Sequence, residues 1–166
     1  MSRLDSFINR MVAQRACLNF IASHLGGPAL TEPVLELGLG NGRTYDHLRE
    51  LFPNAPIFVF DRAMRANPKS APPEEMMILG DVRDTLPAIR PRLGAGARLI
   101  HTDIGDGSVH TTEPLVRALE QALPPLLADG AYIIADQRMS VATWHALPLP
   151  EGVAEGRYYI WKNTIF

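Results

Sequence analysis

From residue 33 onward, short apolar runs recur along the chain, and nearly every one closes on a glycine or an aspartate. Pro33-Val34-Leu35-Glu36-Leu37 runs into glycines, and Ile57-Phe58-Val59-Phe60 stops at Asp61. Met76-Met77-Ile78-Leu79 stops at Gly80-Asp81, Arg98-Leu99-Ile100-His101-Thr102 at Asp103, and Ala131-Tyr132-Ile133-Ile134-Ala135 at Asp136. These runs are apolar throughout rather than alternating, the pattern of strands covered on both faces. The spacing predicts helices over 42–52, 82–92 and 112–128; the last carries Leu115, Leu119, Leu123, Leu126 and Leu127. Strand and helix in alternation imply right-handed crossovers and a doubly wound parallel sheet. The segments 143–147 and 157–161, separated by a turn rich in Pro and Gly, predict a closing antiparallel hairpin. Ahead of all this, Leu4, Ile8, Met11, Leu18, Ile21 and Leu25 mark one face of an N-terminal helix. Ser2 and Asp5 can cap its start, and Gly26-Gly27-Pro28 ends it.

The expected fold class is therefore α/β: a three-layer, mostly parallel sheet of about seven strands with an antiparallel end, preceded by a helix. The chain has 166 residues, so one domain is expected over 1–166, with the helix at 1–27 and the core at 33–166. At 46% apolar and 20% charged residues, a buried core is expected. The net charge of -2 argues against coating nucleic acid by bulk charge. Cys17 is the one cysteine, which excludes an internal disulfide or a cysteine metal cluster. No apolar run approaches the roughly 18 residues of a membrane span. The charged N-terminus lacks the apolar stretch of a secretory signal, so the expected compartment is the cytoplasm.

Carboxyl ends of parallel strands form the ligand crevice in open α/β sheets, so Asp61, Asp81, Asp103 and Asp136 are expected along one rim. Each could equally serve as a cap or turn residue. The informative turn is Glu36-Leu37-Gly38-Leu39-Gly40-Asn41-Gly42-Arg43, a strand entering glycines at alternate positions and then a helix. Glycine permits positive φ and removes side chains that would block a ligand. A dinucleotide turn needs G-x-G-x-x-G, but Arg43 stands at the third position. No Gly-Lys-Ser/Thr follows, which excludes a P-loop. Glu36 would repel a pyrophosphate and suits a ligand bearing an ammonium or sulfonium.

Glu36-x-Gly38-x-Gly40-x-Gly42 resembles the first motif of class I S-adenosyl-L-methionine-dependent methyltransferases, with a Rossmann-like fold, and the resemblance covers nearly the whole chain. It is similar to small, compact bacterial members of that group. The resemblance implies S-adenosyl-L-methionine as cofactor and S-adenosyl-L-homocysteine as product. It further implies Asp61 on the ribose hydroxyls, Gly80, Asp81 and Val82 at the adenine edge, and Asp103 near the methionine moiety. Gly38, Gly40, Asn41 and Gly42 would form the turn beneath the ligand, Glu36 would hold its ammonium directly or through water, and Arg62 would pack over the adenosine. Leu37, Leu39 and Met77 read first as core and second as apolar walls.

Methyl transfer is an in-line displacement, and a base is needed only if the acceptor must lose a proton. Asp103, Asp106, His110 and Asp136 are candidates, with no assignment among them; His101, inside a strand, reads as a core or rim residue. Asp103, Asp136 and Gln137 are also similar to the magnesium site of catechol-type members, although Gln137 stands where an Asn is usual. No metal is assigned. Short connections and a small scattered set of arginines favour a small-molecule acceptor over nucleic acid. The acceptor site would lie within the domain or be completed by the N-terminal helix or a second subunit of a homo-oligomer. Tyr45, Trp144, Tyr158 and Trp161 can line it or pack the core. Two competing readings stand: a catalytically silent S-adenosylmethionine-binding partner subunit, and a nicotinamide-dependent oxidoreductase.

Overall fold

Residues 1–165 are described by a computed structural model. Helix α1 spans Arg3–Leu25. Its start is a capping box in which the Ser2 hydroxyl accepts from the Asp5 N–H and the Asp5 carboxylate accepts from the Ser2 N–H. Gly26, left-handed at φ 78°, ends it. Then follow β1 (Val34–Leu37), α2 (Arg43–Leu51), β2 (Ile57–Asp61), β3 (Met77–Leu79), α3 (Val82–Ile89), β4 (Ala97–Thr102), α4 (Val109–Ala122), β5 (Leu127–Ala135), β6 (Trp144–Ala146) and β7 (Tyr159–Asn163).

The strands form one sheet in the order β3-β2-β1-β4-β5-β7-β6. The first five are parallel, and β7 runs antiparallel to both β5 and β6. The chain moves outward from β1 to β3, then returns to the other side of β1 at β4. That reversal leaves a crevice at the carboxyl ends of β1 and β4.

Period-two alternation splits the strands between two cores. Leu35, Leu37, Phe58, Phe60, Ile100 and Ile133 pack with Val82 and Leu86 of α3, Leu119 of α4 and Leu123 just beyond it. Val34, Val59, Leu99 and Ile134 pack with Cys17, Leu18 and Ile21 of α1 and Tyr45 and Leu48 of α2. The expected three layers and antiparallel end are present.

Several expectations need correction. The helix expected over 112–128 runs from Val109 to Ala122. Pro124 and Pro125 lack the N–H groups that would continue it, a 3-10 turn follows, and Leu127 begins β5. The helix expected over 82–92 stops at Ile89, before a 3-10 turn around Pro91. On α1, Leu18 and Ile21 are buried as expected, but Leu4 and Ile8 are 66% and 48% exposed. The buried face runs instead through Ala13, Gln14, Cys17 and Ala22.

Candidate functional site

The crevice opens into a cavity of about 850 Å³. Its floor is the glycine turn Gly38–Asn41, and the ends of β2 and β3 contribute Asp61, Arg62, Gly80 and Val82. The segment after β4 contributes Asp103 to Asp106, and α4 contributes His110 and Leu115. The remaining wall is α1, through Phe7, Arg10, Met11 and Gln14. The sequence reading offered the N-terminal helix as one way to complete the acceptor site but assigned none of these side chains to it. The one visible signal of their contribution was Gln14, a polar residue within a helical stretch that must bury one side.

The glycines of the turn have different tasks. A Cβ on Gly38 would lie 2.5 Å from Ile104 Cγ2 and 2.6 Å from the Asp103 carbonyl, and one on Gly42 would lie 2.5 Å from the Ser70 carbonyl. Both are therefore required by the protein's own packing, and Gly42 is buried beneath the turn. Gly40 differs: its Cβ would meet nothing within 4 Å. Its bare face looks into open space at the cavity floor.

Asp61 holds this turn in shape. Its Oδ2 accepts from the N–H groups of Leu39 (2.9 Å) and Gly40 (3.1 Å), and its Oδ1 accepts from Ala63 N–H at 3.2 Å. Asp81 caps α3: its Oδ1 accepts from Arg83 N–H at 2.9 Å, and its Oδ2 accepts from the guanidiniums of Arg62 (2.9 Å) and Arg83 (3.2 Å). The Arg83 N–H bond, aided by both arginines, holds the Asp81 carboxyl below the usual carboxylate range.

Glu36 lies deeper than the motif suggests. It has no exposed surface, and its Oε2 sits 2.7 Å from His101 Nδ1, also fully buried. The two are cross-strand partners in the β1–β4 register. Glu36 Oε1 and His101 Nε2 have no hydrogen-bond partner among the described residues. Burial pushes the Glu36 carboxyl up, against the pull of His101. Burial pulls the His101 imidazolium down, but Glu36 outweighs it and His101 stands above its ordinary value. The His101 ring lies parallel to that of Tyr158, centroids 6.2 Å apart.

Asp103, by contrast, reaches the cavity. Arg10 pairs with its Oδ1, and Gln14 Nε2 donates to its Oδ2 at 2.9 Å and to the Tyr158 hydroxyl at 2.7 Å. Asp106 closes the turn before α4, accepting from Ser108 N–H and the Thr111 hydroxyl. His110 is exposed at the cavity mouth. Asp136 and Gln137 line a second, neighbouring cavity, with Gln137 Nε2 donating to Asp136 Oδ2 at 3.1 Å. Among the described residues, no group of three or more His, Cys, Asp or Glu is placed to hold a metal ion. Tyr45, Trp144, Tyr158 and Trp161 are all buried and belong to the cores or the terminal strands. No helix among the described residues is long and apolar enough to cross a membrane.

Residues 1–163 match a family described as S-adenosyl-L-methionine methyltransferase. Among solved structures, an S-adenosyl-L-methionine methyl transferase from Silicibacter pomeroyi DSS-3 is 44% identical, with TM-score 0.90, covering 98% of this chain and 99% of that one. The N-methyltransferase NodS from Bradyrhizobium japonicum WM9 shares the fold at TM-score 0.58 and 11% identity, covering 94% of this chain and 97% of its own. A fibrillarin pre-rRNA processing protein from Methanococcus jannaschii does so at TM-score 0.57 and 15% identity, covering 87% and 74%. A search of the curated proteins found no match.

Proposed function

The chain belongs to the S-adenosyl-L-methionine methyltransferase family, and from that premise we propose that it methylates a small-molecule acceptor in the cavity beside the glycine turn. Its cofactor is S-adenosyl-L-methionine. The family assignment leaves the nicotinamide reading without support.

The open face of Gly40 carries this reading. Gly38 and Gly42 are consumed by internal packing, so only Gly40 leaves the turn bare toward the cavity, as a closely approaching ligand requires. The residues around it suit the cofactor. Asp61 retains acceptor capacity on Oδ1 for ribose hydroxyls, while its Oδ2 fixes the turn. Gly80 and Val82 line the adenine end. Asp81 would accept from an exocyclic amino group by exchanging Arg62, whose side chain is 74% exposed. Asn41 and Arg62 flank the opening. Asp103 lines the cavity at the end of β4 and would take the ammonium; Glu36, sealed with His101, supports the floor from beneath.

When bound, the cofactor supplies an electrophilic methyl on a sulfonium. The chain's share is placement: the turn, Asp61 and Asp103 fix one end, and α1 closes the side. The short connections support a small acceptor. Phe7 of α1 lines the cavity, and the exposed apolar residues Leu4, Ile8 and Val12 of the same helix support completion of the site by α1 or by a second subunit.

Incubation with methyl-labelled S-adenosyl-L-methionine and a panel of small protic nucleophiles tests the proposal. Label in a product, with S-adenosyl-L-homocysteine formed in equal amount, is expected. Cofactor binding without transfer to any of them would favour a silent binding subunit.

A further inference from the structure

The main cavity has a thin back wall. Gly105 lines it, and a Cβ on Gly105 would lie 3.1 Å from Gln137 Nε2 and 3.3 Å from Asp136 Oδ2. Those two side chains line the second cavity, of about 510 Å³. Thr112 lines both cavities, and its buried hydroxyl has no partner. A carboxylate therefore stands directly behind a residue without a side chain, at the boundary of two spaces.

We infer that the methyl acceptor is a small amine, that it passes from the second cavity beside Gly105 into the cofactor cavity, and that Asp136 is the catalytic base. This rests on the methyltransferase reading. Asp103 is committed to Arg10 and Gln14, and Asp106 to the turn before α4. Among the described residues, Asp136 has the neutral amide of Gln137 as its side-chain hydrogen-bond partner. Burial, then the nearby Asp103 charge, pushes its carboxyl above the usual range, which makes it a stronger base than an ordinary aspartate. The charged or titratable groups around it are Asp103, Arg10, Tyr158 and His101, with Glu113, Arg117, Glu120 and Arg138 in the second cavity.

The charge around this wall selects the acceptor. Glu113 and Glu120 join Asp136 in the second cavity against Arg117 and Arg138. An excess of carboxylate repels an anionic acceptor and stabilises positive charge developing on nitrogen. Tyr159 and Val116 supply apolar surface beside it. A small amine arrives as its ammonium, so the Asp136 carboxylate first takes one N–H proton and frees the lone pair. That lone pair forms the new N–C bond as the C–S bond breaks, sulfur keeps the C–S electron pair as a thioether, and the methylated product leaves as an ammonium. Solvent then returns Asp136 to its ionised form.

The test uses the full chain with benzylamine as the probe. Calorimetry should show benzylamine binding to protein saturated with S-adenosyl-L-homocysteine. With S-adenosyl-L-methionine, benzylamine should be methylated, and benzyl alcohol and benzoate should not. Asp136→Asn should retain S-adenosyl-L-homocysteine affinity, lose turnover by about 100-fold and lose the rising limb of the pH–rate profile. Gly105→Ala, whose Cβ would crowd Gln137 and Asp136, should lower kcat/KM for benzylamine. No benzylamine binding, wild-type turnover in Asp136→Asn, or loss of the rising limb in His110→Ala instead would overturn the inference. Failure of S-adenosyl-L-homocysteine itself to bind would overturn the cofactor reading beneath it.

Discussion

Arg10 of α1 and Asp103 at the end of β4 form an ion pair across a sequence separation of 93 residues. The pair ties the front of an otherwise exposed helix to the rim of the cavity, and Gln14 doubles the attachment. Arg10→Ala should destabilise the protein by only about 1 kcal/mol, because the Arg10 side chain is 43% exposed to solvent. Its larger effect should be local, with faster amide hydrogen exchange in the first turns of α1. Unchanged exchange there would show that apolar packing alone holds the helix.

Gln14 is the more demanding of the two contacts. Gln14→Leu removes a donor from both Asp103 and the buried Tyr158 hydroxyl. A loss of about 1–3 kcal/mol is expected from denaturant unfolding, the scale for a buried polar group left unpaired. A loss below a few tenths of a kcal/mol would mean that water replaces the amide.

The Glu36–His101 pair predicts how stability varies with pH. Both groups stand above their ordinary values, so the folded pair holds a proton that the unfolded chain releases above about pH 6.5. Its stabilisation is present below that pH and is lost as pH rises through the folded value of His101. The slope for one proton is about 1.4 kcal/mol per pH unit. Glu36→Gln should flatten the decline, measured by denaturant unfolding between about pH 6 and 8.5. An identical slope in wild type and variant would place the proton elsewhere.

The glycine turn separates binding from folding. Gly40→Val should abolish cofactor binding, since its side chain projects into open cavity space, and it should add about 1–2 kcal/mol of backbone strain at φ 53°. Gly42→Val should instead disrupt the fold, because its Cβ would collide with the Ser70 carbonyl. Thermal melts and S-adenosyl-L-homocysteine titrations on both variants distinguish the two effects. Retained binding in Gly40→Val would make the turn a structural feature only.

The parallel strands were legible because β1, β2, β4 and β5 are largely buried and each strand ends where the chain must turn, so apolar runs closing on Asp61, Asp81, Asp103 and Asp136 marked their carboxyl ends. Three features depart from this pattern, two for tertiary reasons and one for a local one. Leu4 and Ile8 keep helical spacing but face solvent, whereas α1 packs through Leu18 and Ile21 together with Ala13, Gln14, Cys17 and Ala22. Leu126 and Leu127 fit a helical period until Pro124-Pro125 is weighed against it. Glu36 sits where the motif places it, yet its neighbour across the sheet, His101, takes its charge out of the cavity; strand register, invisible in the sequence, decides that.

The central claim is that the cavity beside Gly40 and Asp61 holds the adenosyl cofactor. Calorimetric titration of S-adenosyl-L-homocysteine into the wild type and Asp61→Ala, with NAD as control, measures it directly. Saturable binding is expected in the wild type, weakened by roughly 1.5–3 kcal/mol in Asp61→Ala, the scale of hydrogen bonds to a charged group, and NAD should give no saturable heat. Equal affinity in the two proteins, or binding of NAD in place of S-adenosyl-L-homocysteine, would contradict it.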